Sequence, residues 1–444
     1  MNHPRKFPTW LSTLALNSAL ATVATASMMT TGIIPAVQAA LEESPKTVVD
    51  EVWQIVNNEF VGIGAEFDPE DWQATRQDLL AQNYSSSQDA YTAIRKALKG
   101  LNDPYTRFLD PGEYAQLTNQ TSGELSGVGL QLTVDEETSA LEVIRPIPDS
   151  PAAAAGIEAG DRILRINDRP TSLMDVEDAV KLLGGEEGST VRLQLVRPSQ
   201  GLYEVELVRA QIEVPVLHYA LHEESDLQIG YMRLDEFSSH AAEQMSTAIE
   251  ELESQGIDGF VLDLRGNPGG LLFASVDIAR MWLETGDIVR TVDRRGGDRQ
   301  YSANRTSITD SPLVVLIDGY SASASEILAG ALKDNNRATL VGSRTYGKGT
   351  VQSVHQLSDD SGLAVTISRY FPPSGININK HGIAPDVVYD LSREQYRLLR
   401  TNPSLQGTDR DPQYQRAIAT LQEQLLGRVI VPALPEPITL NSDR

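Results

Sequence analysis

The run Leu313–Ile317 (LVVLI) leads directly into a serine cluster, Ser321, Ser323 and Ser325, and then into Ile327, Leu328, Ala331 and Leu332 at helical spacing. A short apolar run bounded by turn residues reads as a buried strand, and the spacing that follows reads as a helix. A buried strand that turns straight into a helix commits this part of the chain to an α/β layer. A second junction of the same kind lies upstream. Phe260, Val261, Leu262 and Leu264 predict a strand, Gly266, Asn267, Pro268, Gly269 and Gly270 a tight turn, and 271–283 a helix.

A serine at such a turn has its hydroxyl exposed beside the positive end of a helix, where a nucleophile for acyl transfer belongs. Serine is also among the best N-cap residues, so an isolated serine here reads first as a cap. Downstream, Gly342–Lys348 (GSRTYGK) matches most of a phosphate loop, but Gly349 stands where Mg²⁺ needs a hydroxyl. The polar, β-branched run 350–356 follows in place of a helix, so no nucleotide is expected. The glycines instead allow the backbone to bring Lys348 into a tight site. A free lysine has a pKa near ~10.4, and burial lowers it until the amine can act as a base. No carboxylate should then touch that amine. Gln352 is a neutral candidate to orient it, through an amide oxygen accepting a lysine N–H. The glycine-rich turn at 266–270 can present bare backbone N–H groups of the kind an oxyanion hole requires. His355 keeps a Ser–His alternative open.

Taken together, LRGNPGG at 264–270, SASASEI at 321–327 and TYGKGTVQ at 345–352 resemble the carboxyl-terminal processing peptidases, or tail-specific proteases, which are serine peptidases with a Ser–Lys pair. The resemblance runs from about Val48 to Tyr389. It implies Ser323 as nucleophile, Lys348 as base and Gln352 as its orienting partner, with the N–H groups of Gly269 and Ala324 as oxyanion donors. It also suggests a supporting role for Asp334, which the charge argument makes structural. NDPYTRFL, at 102–109, is a motif of the same family, in a stretch expected to cover the core and not to carry chemistry. Residues 152–168 (AAAAGIEAGDRILRIND) resemble a PDZ domain, with Gly127, Val128, Gly129 and Leu130 as its carboxylate-binding loop and Val176–Leu183 as its groove helix. Such a groove adds a peptide as an extra strand and holds its terminal carboxylate on backbone N–H groups. Where many relatives carry an arginine after the groove helix, this chain has Leu183-Gly184-Gly185-Glu186-Glu187.

The net charge of −24 argues against nucleic acid as a partner. The absence of cysteine excludes disulfides and thiol chemistry, and the six histidines form no metal motif, so neither metal nor cofactor is expected. Arg5 and Lys6, the uncharged stretch 7–41 and the small residues at 37–40 predict an export signal cleaved after Ala39, leaving at most peripheral membrane association.

The expected architecture is a multidomain α+β chain. It comprises an export signal (1–39), a helical N-terminal region (44–117), a PDZ domain (118–210), a peptidase core with α/β layering (211–390) and a polar, partly helical C-terminal tail (391–444). The expected function is an endopeptidase of the periplasm or a thylakoid lumen that acts on protein substrates with free C-termini. In a photosynthetic organism, a photosystem II reaction-centre precursor is one substrate the resemblance admits. A catalytically inactive PDZ scaffold, or a chaperone-like binder of C-termini, is the alternative from another class.

Overall fold

The computed structural model describes residues 44–429, apart from 63–66, 136–137, 173 and 225. The expected export signal and the last residues, 430–444, lie outside the described residues.

Helices α1 (Pro45–Glu59), α2 (Pro69–Ala81) and α3 (Ser87–Lys99) open the chain. They do not end the N-terminal region as helices alone. Strand β1 (Arg107–Leu109) follows, then α4 (Pro111–Ser122), whose Asp110–Glu113 capping box fixes its start. Strand β2 (Glu124–Gly127) leads into the small β-domain of β3 (Leu130–Val134), β4 (Leu141–Pro146), β5 (Arg162–Ile166), β6 (Arg169–Pro170), β7 (Thr190–Arg197) and β8 (Gly201–Val208). Two helices belong to this domain, α5 (Pro151–Ala154) and α6 (Val176–Leu183). Ile163, Ile166, Ala179, Val191, Leu193 and Leu195 form its own core. Strand β9 (Ala210–Glu213) pairs with β2, so the chain leaves this domain beside the point where it entered.

The catalytic-region sheet has the order β10 (Leu217–Glu224), β11 (Leu227–Leu234), β12 (Gly259–Asp263), β15 (Leu313–Ile317), β16 (Thr339–Gly342), β19 (Val387–Val388). From β11 onward the pairings are parallel. Helices α7 (Ala241–Ser254), α8 (Leu272–Trp282) and α9 (Ala324–Asp334) cover one face. Strand alternation sends Phe260, Leu262, Leu313, Val315 and Ile317 to that face and Val261, Val314 and Leu316 to the other. Continuous apolar runs suit a sheet buried on both sides.

The second face is closed from the C-terminus. After α10 (Arg393–Thr401), α11 (Pro412–Val429) lays Tyr414, Ala417, Ile418 and Leu421 on Val261, Val314 and Val341. The segment expected as a tail is therefore part of the core as far as it is described. Arg265 fastens it. Its guanidinium reaches Asp263 Oδ2 and Asp411 Oδ2, each at 2.6 Å, and all three side chains are buried. Asp411→Ala leaves that guanidinium half paired in a dry site. The expected cost is about 3 kcal/mol, checked by the urea midpoint of unfolding.

The remaining strands, β13 (Asp287–Asp293), β14 (Asp298–Ser302), β17 (Thr350–Gln356) and β18 (Gly362–Phe371), form a second sheet with β1. Helices α1–α3 pack on it through Phe108, Leu363 and Val365.

Candidate active site

Three loops leave the carboxyl ends of the adjacent parallel strands β12, β15 and β16, which is where open α/β sheets build their sites. The first is the glycine turn 264–270, the second Asp318–Ser323, and the third 343–349. Asp318 Oδ1 accepts the N–H groups of Gly266 (3.0 Å), Tyr320 (3.0 Å) and Ser321 (3.1 Å), which ties the first loop to the second. The Tyr346 N–H donates to the Ser321 carbonyl at 3.1 Å and ties the second to the third.

The three serines separate cleanly. Ser321 and Ser325 are fully buried, and their hydroxyls donate to the Leu264 carbonyl (2.8 Å) and the Asn267 carbonyl (3.0 Å). Both are braces for the turn. Ser323 is partly exposed and stands at the N-cap of α9, where Glu326 reaches back to its N–H. Its backbone sits at φ 54°, ψ −112°, a sparsely populated conformation for a residue with a Cβ. The strain is held by neighbours on both sides: the Ser323 N–H donates to Glu326 Oε2 (3.0 Å) and the Tyr370 hydroxyl donates to the Ser323 carbonyl (3.1 Å).

Glu326, fully buried, organises the centre. Its Oε1 accepts from the Thr345 hydroxyl (2.6 Å) and the Gly347 N–H (2.7 Å), and its Oε2 from the N–H groups of Ser323 (3.0 Å) and Lys348 (2.9 Å). One carboxylate thus holds the backbone of both candidate catalytic residues. Gly347 is required where it stands: at φ 91°, a Cβ there would lie 2.8 Å from the Gly382 N and 2.9 Å from the His381 N.

Ser323, Ala324, Lys348, Gln352, Gly269 and Gly270 line one cavity of about 430 Å³. No hydrogen bond joins Ser323 to Lys348 in this state. Burial pushes the Lys348 amine below its ordinary value, the charge of Arg107 adds to that, and the fields of Asp103 and Glu326 oppose it. Among the described residues no carboxylate pairs with the amine. Its Nζ lies 4.9 Å from the centre of the Tyr105 ring. Burial, and then Tyr346, push the Tyr105 phenol up to about 12, so it stays protonated beside the lysine.

Gln352 differs from expectation. Its amide nitrogen donates to Thr350 Oγ1 (3.0 Å) and Thr366 Oγ1 (3.4 Å), and it makes no bond to Lys348. The Thr366 hydroxyl in turn donates to Asp103 Oδ2 at 2.6 Å, as does Thr106. Gly269 packs against the turn that carries Ser323 so closely that a Cβ would lie 2.7 Å from the Ala322 oxygen and 2.8 Å from the Ser323 Cβ. Its N–H, however, donates to Asn267 Oδ1 at 2.8 Å. Ala324, as the first residue of α9, has no intrahelical acceptor for its N–H.

Asp334 lies at the far end of α9, where Oδ2 accepts the Ser374 N–H (2.9 Å), away from the cavity. His355 faces the opposite side of β17 from Gln352 and Val354, with Nε2 at 2.9 Å from Glu59 Oε2 on α1. Sequence reasoning missed Asp103, Tyr105, Arg107, Glu326 and Tyr370. The alternation in Thr106–Leu109 is the signal that a strand, and not a cover, follows Asn102–Pro104.

In the small β-domain, Gly127 closes β2, Leu130 opens β3, and Val128 and Gly129 lie buried between them. The Val128 and Gly129 carbonyls accept the N–H groups of Ala152 and Ile147, each at 2.9 Å.

Residues 228–389 match the model of peptidase family S41, and residues 142–197 match that of the PDZ domain. The carboxyl-terminal-processing protease of Picosynechococcus sp. is 43% identical over 381 residues, covering 85% of this chain and 90% of the relative. The chloroplastic C-terminal processing peptidase of Tetradesmus obliquus is 38% identical, covering 77% of this chain and 76% of the relative. Among solved structures, a photosystem II D1 C-terminal processing protease is 37% identical with a TM-score of 0.51, covering 84% of this chain and 99% of that one. The chain therefore belongs to the carboxyl-terminal-processing proteases of peptidase family S41, serine peptidases that carry a PDZ domain.

Proposed function

We propose that the chain is an exported endopeptidase that takes protein tails by their free C-termini on the PDZ loop and cleaves them with Ser323 and Lys348. The observation that carries this reading is the contrast within the serine cluster: two hydroxyls brace the turn, and the third opens into the cavity that holds a buried lysine free of carboxylate partners.

In this reading the neutral Lys348 amine takes the Ser323 proton as Oγ attacks the substrate carbonyl. The C–N bond then breaks, and the lysine returns its proton to the leaving amine. Water repeats the sequence on the acyl-enzyme. The Ala324 N–H is the free donor for the oxyanion. The Gly269 N–H serves as the second once its bond to Asn267 is shared or released. Gln352, held by Thr350 and Thr366, keeps its amide oxygen available for the lysine. Asp334 is structural.

The PDZ role is supported by the loop's tied carbonyls. In a trans peptide the Gly129 N–H points opposite to the Val128 carbonyl, and so away from Ala152. Val180 of α6 is 52% exposed and offers an apolar surface for a bound tail. The cyanobacterial and chloroplastic sources of the relatives support an exported site of action, a periplasm or thylakoid lumen, and the similar solved D1 processing protease makes a photosystem II D1 precursor the first substrate to try.

Amidating a substrate's C-terminus removes a charge-assisted set of hydrogen bonds. The expected result is a fall in kcat/KM of roughly one to two powers of ten. Equal kcat/KM for free-acid and amide tails, measured by mass spectrometry, would show that the end group is not read.

A further inference from the structure

Arg107 is a charged residue of the cavity that the chemical steps above leave without a task. It opens β1, where the register sets Arg107 opposite Ala364 and Ala364 opposite Val354 on β17. All three residues line the cavity. The neighbouring row in the same sheet is Gln352 opposite Thr366, two residues along and so roughly 7 Å away. The arginine therefore stands one row beyond the glutamine, on the wall of the cavity that Lys348 also lines. Ala364, the small member of its row, leaves open space beside it.

Acidic residues outnumber basic ones 61 to 37 in this chain, and several arginines pair with carboxylates. Arg265, Arg197 and Arg95 all do. Arg107 is exposed, and among the described residues it forms no ion pair and no hydrogen bond. The carboxylates around the cavity are committed elsewhere. Asp103 accepts from Thr106 and Thr366, Glu326 from four donors, and Glu236 from Gln120 at 3.0 Å. Burial also raises Glu236, which favours its neutral form. The cavity wall thus presents a planar five-donor cation with no protein partner among the described residues, and a guanidinium matches a carboxylate in two parallel hydrogen bonds.

Building on the Ser–Lys reading, we propose that Arg107 is a specificity-determining residue that binds a carboxylate of the substrate tail inside the active-site cavity, close to the bond that is cut. The carboxylate comes from an acidic side chain of the tail or from its terminus, and the two sources share one chemistry.

The test uses the full exported chain, with Arg107→Gln and Arg107→Lys beside the parent, on peptide tails that differ by Asp against Asn and by free acid against amide. Rates are read on the alkaline plateau, where lysine titration does not enter. The parent is expected to prefer the acidic tail about 10- to 100-fold in kcat/KM. Arg107→Gln should bring that ratio close to one, and Arg107→Lys should keep part of it as a point charge. The free-acid arm is read as the change between parent and variant, because the PDZ loop is expected to contribute its own preference. Loss of preference in the Asp arm alone assigns a side chain, and in the free-acid arm alone the terminus. A parent with no acidic preference, or an Arg107→Gln variant that keeps it, overturns the proposal. Ser323→Ala is run on the same peptides. Turnover in that variant would sink the Ser–Lys reading while leaving the Arg107 ratios interpretable on their own.

Discussion

Ser323→Ala is expected to lower kcat by roughly 10⁴-fold or more, while Ser321→Ala and Ser325→Ala remain active. The three serines alternate along one turn, and sequence alone gives each a hydroxyl at a helix start. The structure gives them different work. Ser321 and Ser325 donate inward to the Leu264 and Asn267 carbonyls, so their loss costs stability, about 1–3 kcal/mol each for the acceptor left unpaired. The Ser323 hydroxyl ties down no other loop, so its alanine variant should fold as the parent does and still bind tails. Mass spectrometry of cleaved tails, with thermal melts alongside, separates the two effects. Full turnover in Ser323→Ala, or inactivity of a well-folded Ser325→Ala, would move the nucleophile elsewhere.

Lys348→Arg is expected to be inactive, because a guanidinium stays protonated throughout the working range and cannot take the serine proton. For the parent, the sign of the pH dependence follows from the amine. Only neutral lysine is a base, so kcat rises with pH through the lysine pKa in the bound complex. Burial and Arg107 both lower that pKa, which moves the acid limb below where a solvent-exposed lysine would put it. Removing the neighbouring cation with Arg107→Gln takes away one lowering influence, so the limb should shift to higher pH. His355→Ala should leave the limb in place, since His355 is turned to Glu59 on the far side of the strand. A pH–rate profile of these variants decides. An active Lys348→Arg, or a limb lost with His355, would replace the lysine mechanism.

The centre of the site was readable because its pieces are local in sequence. The apolar runs at 259–263 and 313–317 and the turns that follow them announce strand–turn–helix units, and those units place Ser323 and Gly269 side by side. What could not be read was partnership across the chain. Tyr105 and Arg107 reach the cavity, and Asp103 reaches Thr366 behind it, only because β1 pairs with β18, far downstream. Glu326 looks in sequence like an ordinary acid in a first helical turn, and two of its four donors come from residues 345–347 with a third at 348. The helix 412–429 is a different case. Its apolar positions 414, 417, 418 and 421 follow helical spacing, a signal that polar neighbours obscured.

The shared carboxylate of Glu326 has a consequence for when this protein becomes dangerous. A protease synthesised among other unfolded chains, and carried unfolded across a membrane if it is exported, must not cut on the way. In the Ser–Lys reading, the turn that carries Ser323 and the loop that carries Lys348 are held by the same buried side chain. The two halves share four hydrogen bonds to that one carboxylate. If Ser323 and Lys348 do the cutting, a nascent or loosened chain owns both residues but no scissors, and the finished fold brings the blades onto one pivot.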